Sequence, residues 1–269
     1  RGDNFTMKSS KKLVTSFLAL GFSLTYATSP AATQECSASS GKHTVALLEL
    51  YTSEGCSSCP PADRLLSSLP ARELGADQVV PLALHVDYWD YLGWRDPFAQ
   101  NKFTKRQRRM GAVNGLSTIY TPQFLLNGKD FRPWRAQSVN KEVADINRSK
   151  ARAQLQISLK QNAAQLHIMA NADVPDATDR HSADAYIVLY ENKLSRHVKA
   201  GENAGRTLNH NFVARELVGP IRLKSGGVTF DETLTLAEDW KTKDLGVVAF
   251  VQDRRNGDVL QALALPVCQ

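Results

Sequence analysis

The run Val45-Ala-Leu-Leu-Glu-Leu-Tyr51 followed by Thr52-Ser-Glu-Gly-Cys56-Ser-Ser-Cys59-Pro-Pro-Ala-Asp-Arg-Leu-Leu66 constrains this chain more than any other stretch. Near-continuous apolarity over its first part predicts a strand covered on both faces. A short polar turn ends the strand. Pro60 and Pro61 are tolerated only in the first turn of a helix, so the Cys-x-x-Cys pair falls at a helix N-terminus. That position presents unpaired N–H groups and a partial positive charge, both of which stabilise a thiolate. Two intervening residues keep the sulfurs within bonding reach. Such a pair can close a disulfide, open as a dithiol, or grip a soft metal.

Strand and helix signals alternate from residue 44 to about 152. Strands are expected over 44–51, 79–86, 121–126 and 129–131, and helices over 60–69, 98–110 and 134–152. Asn127-Gly128 is the hairpin turn between the last two strands. Between the second strand and the second helix lies an aromatic loop, Asp87-Tyr-Trp-Asp-Tyr-Leu-Gly-Trp-Arg-Asp-Pro97. Lys102, Lys105, Arg106, Arg108 and Arg109 read as a solvated face of that helix. After residue 152 the pattern turns to short strands at 154–160, 166–171, 183–191, 210–218, 227–236, 246–253 and 259–267, bounded by turn residues. With no helical segment among them, these predict an antiparallel β-sandwich. The expected organisation is an α/β domain over 43–152 followed by a β-sandwich domain over 153–269.

Residues 1–32 stand apart. Lys8, Lys11 and Lys12 begin a basic segment after Met7, residues 13–26 are apolar, and small residues run to Ala32. This is the pattern of a cleaved export signal preceded by a few upstream residues, and it predicts a periplasmic or secreted protein. No later segment reaches the roughly 18 apolar residues of a membrane helix. The formal charge of +6 over 269 residues falls to +3 once residues 1–32, with four basic residues and one acidic, are removed. That balance is too mild to argue for nucleic acid or an anionic membrane as partner. Four cysteines permit three pairings. Cys36 precedes the first α/β strand and Cys268 is the penultimate residue, so the favoured pairing ties them into a staple and leaves Cys56 and Cys59 for chemistry.

Three motifs carry a resemblance. They are Glu49 to Asp63 around the cysteine pair, His85-Val-Asp-Tyr-Trp-Asp-Tyr-Leu-Gly-Trp94, and Tyr120-Thr-Pro-Gln-Phe-Leu-Leu-Asn-Gly128. A Thr-Pro entering a strand opposite a strand–CxxC–helix resembles the thioredoxin-like superfamily. The three motifs together, with Gly201-Glu-Asn-Ala-Gly-Arg-Thr-Leu-Asn-His210, are similar to the exported bacterial family known as domain of unknown function twelve-twenty-three. The resemblance implies a thioredoxin-like α/β domain with a helical insertion, followed by the β-sandwich. It also implies that Thr121 and Pro122 face Cys56 and present backbone groups to a bound peptide.

On this reading Cys56 is the exposed attacking thiol and Cys59 the buried resolving one. Glu54 either opposes acidification of the pair or assists proton transfer to Cys59. Tyr88 and Trp89, with Tyr91 and Trp94, form either a peptide-binding rim or the core of the insertion. His85 and Asp87 close the second strand, at the sheet end where ligands usually bind. His85 is either a hydrogen-bonded core residue or a ligand. Glu202, Asn203, Arg206 and His210 make a polar loop that is either structural or covers the CxxC. The leading expectation is an exported thiol–disulfide oxidoreductase acting on protein or small-thiol substrates, with no cofactor beyond its own disulfide. One alternative is a copper- or zinc-binding or metal-delivery protein using Cys56, Cys59 and His85. The other is a non-catalytic interaction module in which the CxxC is a fixed disulfide.

Overall fold

A computed structural model describes residues 34–135, 139–162 and 164–268. The expected export signal over 1–32 lies outside them.

Four strands of seven or more residues are buried along their whole length: β2 (Ala46–Thr52), β3 (Val79–His85), β8 (Ala183–Glu191) and β13 (Leu245–Asp253). Strands of that kind need cover on both faces. By contrast β6 (Gln154–Asn162) and β7 (Gln165–Asp173) largely alternate buried with solvent-facing residues, and so need cover on one face only. Two sheets follow from these demands. Strands β14 (Val259–Pro266), β13, β8, β11 (Val213–Arg222), β3, β2, β4 (Gln123–Leu126) and β5 (Lys129–Asp130) lie side by side in that order. The second sheet has the order β1 (Gln34–Ser39), β6, β7 and β12 (Val228–Thr235). Leu155, Ile157, Leu159, Ile168 and Phe230 from the second sheet share a core with Ile187, Leu189, Val247 and Val251 of the first. A separate hairpin joins β9 (Leu194–His197) to β10 (Thr207–His210).

This corrects the expected fold class. Four α-helices of six to thirteen residues, α1 (Pro60–Ser67), α2 (Asn101–Val113), α3 (Val139–Asn147) and α4 (Ala177–Ser182), stand against fourteen strands among the described residues. Among the described residues no separate thioredoxin-like α/β core, followed by a free-standing sandwich, is formed. The long sheet takes β2, β3, β4 and β5 from before residue 152 and β8, β11, β13 and β14 from after it. The junction is β11 running parallel to β3, with Val213 beside Ala83. The apolar runs do make a parallel pair, β2 with β3, but β4 joins antiparallel and the sheet then continues into the second half.

The helix face expected to be solvated is also corrected at one residue. Arg106 is buried, and its guanidinium binds both oxygens of Glu49 on β2 at 2.6 and 2.9 Å. It reaches Gln252 at 3.1 Å and lies over the rings of Tyr186 and Phe250. A lone carboxylate inside an apolar strand requires such a partner. Cys36 and Cys268 are disulfide-bonded, closing the chain over a separation of 232 residues.

Candidate functional site

The second disulfide joins Cys56 and Cys59. After Thr52 ends β2, the chain makes a tight turn in which the Cys56 N–H donates to Ser53 O, and the Cys59 carbonyl receives the N–H groups of Ala62 and Asp63 in the first turn of α1. Cys59 is the N-cap residue, and Pro60 and Pro61 follow where their missing N–H groups cost nothing. Both cysteines are 0% exposed, which corrects the expectation that Cys56 faces solvent. The reason is the β9–β10 loop. Buried Asn203 donates its side-chain amide to Glu54 O at 2.8 Å and Cys56 O at 2.9 Å, and Glu202 accepts the Ser57 N–H at 2.8 Å. Arg206, itself exposed, holds Asn203 through Oδ1 at 2.9 Å. The polar loop therefore lies across the CxxC.

Thr121–Pro122 is a cis peptide, and Pro122 immediately precedes β4. Since Gln123 pairs with Tyr51, Pro122 stands at the same sheet end as the turn carrying the cysteines. The half-buried Trp89 donates its indole N–H to Thr121 Oγ1 at 2.7 Å, and its Cβ lies against Gly55 so closely that a side chain at 55 would have to displace it. Tyr88 and Trp89 pack on the core, while Tyr91 is 79% exposed. Asp87 turns away toward α2, accepting from Thr104 at 2.6 Å and Asn101 at 3.0 Å. Burial works to raise its pKa, but those hydrogen bonds hold it below the ordinary value.

Behind the disulfide lies a buried polar cluster. Glu54, 0% exposed, accepts from Trp94 Nε1 at 2.8 Å and from His210 Nε2 at 3.2 Å, so its carboxylate is committed to the cluster and to neither cysteine. Asp96 accepts the Glu54 N–H at 2.8 Å and binds His85 Nδ1 at 2.7 Å. Burial pushes the Asp96 carboxyl up, but His85 and the hydrogen bonds outweigh it and hold the value low. Asp63 on α1 accepts from Thr52 Oγ1 at 3.1 Å and stands 3.8 Å from His210 Nδ1. Burial disfavours the charged form of His210, yet Asp63 and Glu54 overcome it and push the imidazole up to about 10. The ligand-type group gathered around His85 therefore contains Asp63 and His210 and neither cysteine.

Of the residues singled out in the sequence, Cys56, Cys59, Glu54 and Arg206 come together directly or through Asn203, and His85 joins Glu54 through Asp96. Asp87 is elsewhere, and Thr121, Pro122 and Trp89 form the adjoining edge. Asp63, Asp96 and Thr52 were missed. Asp63 follows the cysteine pair within one helical turn, which was the available signal; Asp96 had none beyond its place in the aromatic loop.

The family model described as Protein of unknown function (DUF1223) matches residues 47–252. The crystal structure of protein AGR_C_4864 from Agrobacterium tumefaciens is 25% identical, with a TM-score of 0.57, covering 84% of this chain and 96% of that one. HBP35 of Porphyromonas gingivalis is 15% identical with a TM-score of 0.62, covering 85% of this chain and 76% of that chain, a likeness of fold alone. No curated protein matches.

Proposed function

Because the chain belongs to the family described as Protein of unknown function (DUF1223), which carries no named reaction, we propose an activity from the site itself: an exported thiol–disulfide oxidoreductase. The observation that carries this reading is a short-loop disulfide at the start of a helix, closed over by a hydrogen-bonded polar loop. A substrate thiolate attacks Cys56 Sγ once the loop lifts, breaking the Cys56–Cys59 bond and releasing the Cys59 thiolate. A second substrate thiolate then attacks the substrate sulfur of the mixed disulfide and releases Cys56, leaving the substrate oxidised and the enzyme a dithiol. Read backwards, the same steps reduce a substrate disulfide. The helix N-terminus stabilises each thiolate formed on the enzyme. Thr121 and Pro122, braced by Trp89, would shape the substrate's approach. Two disulfides suit an oxidising compartment, and among the described residues no helix is long and apolar enough to cross a membrane. The two disulfides support the periplasm or the exterior as the place where this activity would run.

The complete burial of both sulfurs favours a second reading, a fixed disulfide in a binding module. A glutathione redox titration with acid quenching, alkylation and mass mapping separates the two. A reversible two-electron transition confined to Cys56 and Cys59, with Cys56→Ser inactive toward a dithiol substrate, is expected. A pair that stays closed until the chain unfolds would refute the catalytic reading.

A further inference from the structure

Two buried histidines behind the disulfide each spend one ring nitrogen on a carboxylate and leave the other with no hydrogen-bond partner. His85 uses Nδ1 on Asp96 at 2.7 Å, and its Nε2 is buried and unpartnered. His210 uses Nε2 on Glu54 at 3.2 Å, and its Nδ1 is likewise buried without a hydrogen bond. The residues are 0% and 2% exposed and their ring centroids are 5.0 Å apart. A third group completes the set: Asp63 has one oxygen on Thr52 at 3.1 Å and the other 3.8 Å from His210 Nδ1. One donor atom each from Asp63, His85 and His210 lies within 4.8 Å of the other two.

We propose that Asp63, His85 and His210 form a binding site for a divalent transition-metal ion, with zinc the best fit. Metal-binding imidazoles characteristically donate their other N–H to a carboxylate, which fixes the tautomer and aims the lone pair. Asp96 and Glu54 already stand in that relation to both rings. Two nitrogens and one carboxylate oxygen suit zinc and its neighbours, with a fourth position for water. Zinc holds such donors at about 2.0–2.2 Å, hence roughly 3.5 Å apart, so the group has to close by about an ångström. Charge argues the same way. Glu54, Asp63 and Asp96 are three buried carboxylates whose cationic partners, among the described residues, are only the two histidines. A divalent ion entering the site replaces any proton on His210 Nδ1 and offsets the excess of negative charge. Because the ligands come from α1, β3 and β10, the ion would pin the β9–β10 hairpin, and the loop it carries, to the helix that begins at the cysteines. The site is independent of the redox state of Cys56 and Cys59, and so of the activity proposed above.

The test is titration of the chelator-stripped, fully oxidised chain with Zn(II), followed by isothermal calorimetry and by nitrogen-15 NMR of its six histidines. One ion per chain is expected, with large shifts at His85 and His210 alone. His85→Ala should weaken binding at least a hundredfold, and the Cys56→Ser/Cys59→Ser chain should bind as tightly as the parent. The NMR readout needs no variant to fold. Absence of binding to the oxidised parent, shifts at other histidines only, affinity retained in His85→Ala, or loss of binding in the double-cysteine variant would each overturn the proposal.

Discussion

Replacing Asn203 with alanine tests whether the β9–β10 loop gates the disulfide. Its amide donates at 2.8 Å to Glu54 O and at 2.9 Å to Cys56 O. Cys56 O would keep the Cys59 N–H at 3.2 Å, whereas Glu54 O would lose its side-chain donor in a buried setting. Each of these hydrogen bonds is worth about 1 kcal/mol net, so the closed loop loses about 2 kcal/mol relative to the open one. If opening precedes attack on the sulfur, the open population rises about thirtyfold, and with it the rate of reduction by dithiothreitol. Timed reduction, acid quench and mass mapping measure that rate, with Cys36–Cys268 in the same molecule as the reference for global loosening. Arg206→Ala removes one bond to Asn203 and should give a smaller rise, about fivefold. A Cys56–Cys59 reduction rate within twofold of the parent in Asn203→Ala refutes the gate. Equal acceleration at both disulfides refutes it too, since the loop would then matter only to overall stability.

Three further outcomes follow from the fold. Glu49→Leu or Arg106→Met alone strands a buried charge and should cost about 3–5 kcal/mol in urea unfolding, while the double variant costs far less than the sum. Exchanging Cys36 and Cys268 for serine releases a 232-residue closure and should lower unfolding free energy by up to about 5 kcal/mol in the chain-entropy model, read as a lower urea midpoint. Burial opposes ionisation of Asp253, but Arg255 and Ser182 outweigh it and bring the carboxyl down to about 2. The unfolded chain therefore takes up this proton first. The stabilisation is complete above about pH 4 and is lost as pH falls through about 2, and Asp253→Asn should flatten that part of the acid-unfolding curve.

Local elements were legible where several signals agreed. The β4–β5 turn is one case: Asn127 and Gly128 take φ of 49° and 82°, as a two-residue hairpin demands, and the apolar run before them fixes the strand. Helix α1 is another, since Pro60 can only open it. The polar strands β1 and β9 were not legible, because neither carries an apolar alternation. Nor was the placement of β11 on β3. An apolar pattern specifies which faces a strand must cover and leaves its neighbour open, and that pairing joins residues 130 positions apart. The expected α/β domain followed by a sandwich gives way at this junction, where one sheet runs through both halves.

The site was legible in proportion to how local it is. Cys56, Cys59 and their turn lie in one continuous stretch, and their disulfide needs no distant partner. The polar cluster draws on residues 52–63, 85–96 and 203–210, which meet only because β2, β3 and β11 are adjacent in the sheet. Thr52 pairs with His85 at the ends of β2 and β3, and the chain entering β11 at Val213 brings His210 to the same place. Taken singly, Asp63 and Asp96 read as ordinary solvated carboxylates, and Glu54 only as a neighbour of the cysteine pair. Their burial becomes meaningful only beside two histidines that each give one ring nitrogen to a carboxylate and leave the other without a hydrogen bond. Sheet order is thus the missing premise: with β11 assigned beside β3, His85 acquires His210 as a neighbour and a cation site can be sought from the sequence. Without it, a core histidine and a polar loop are the natural reading of the same residues.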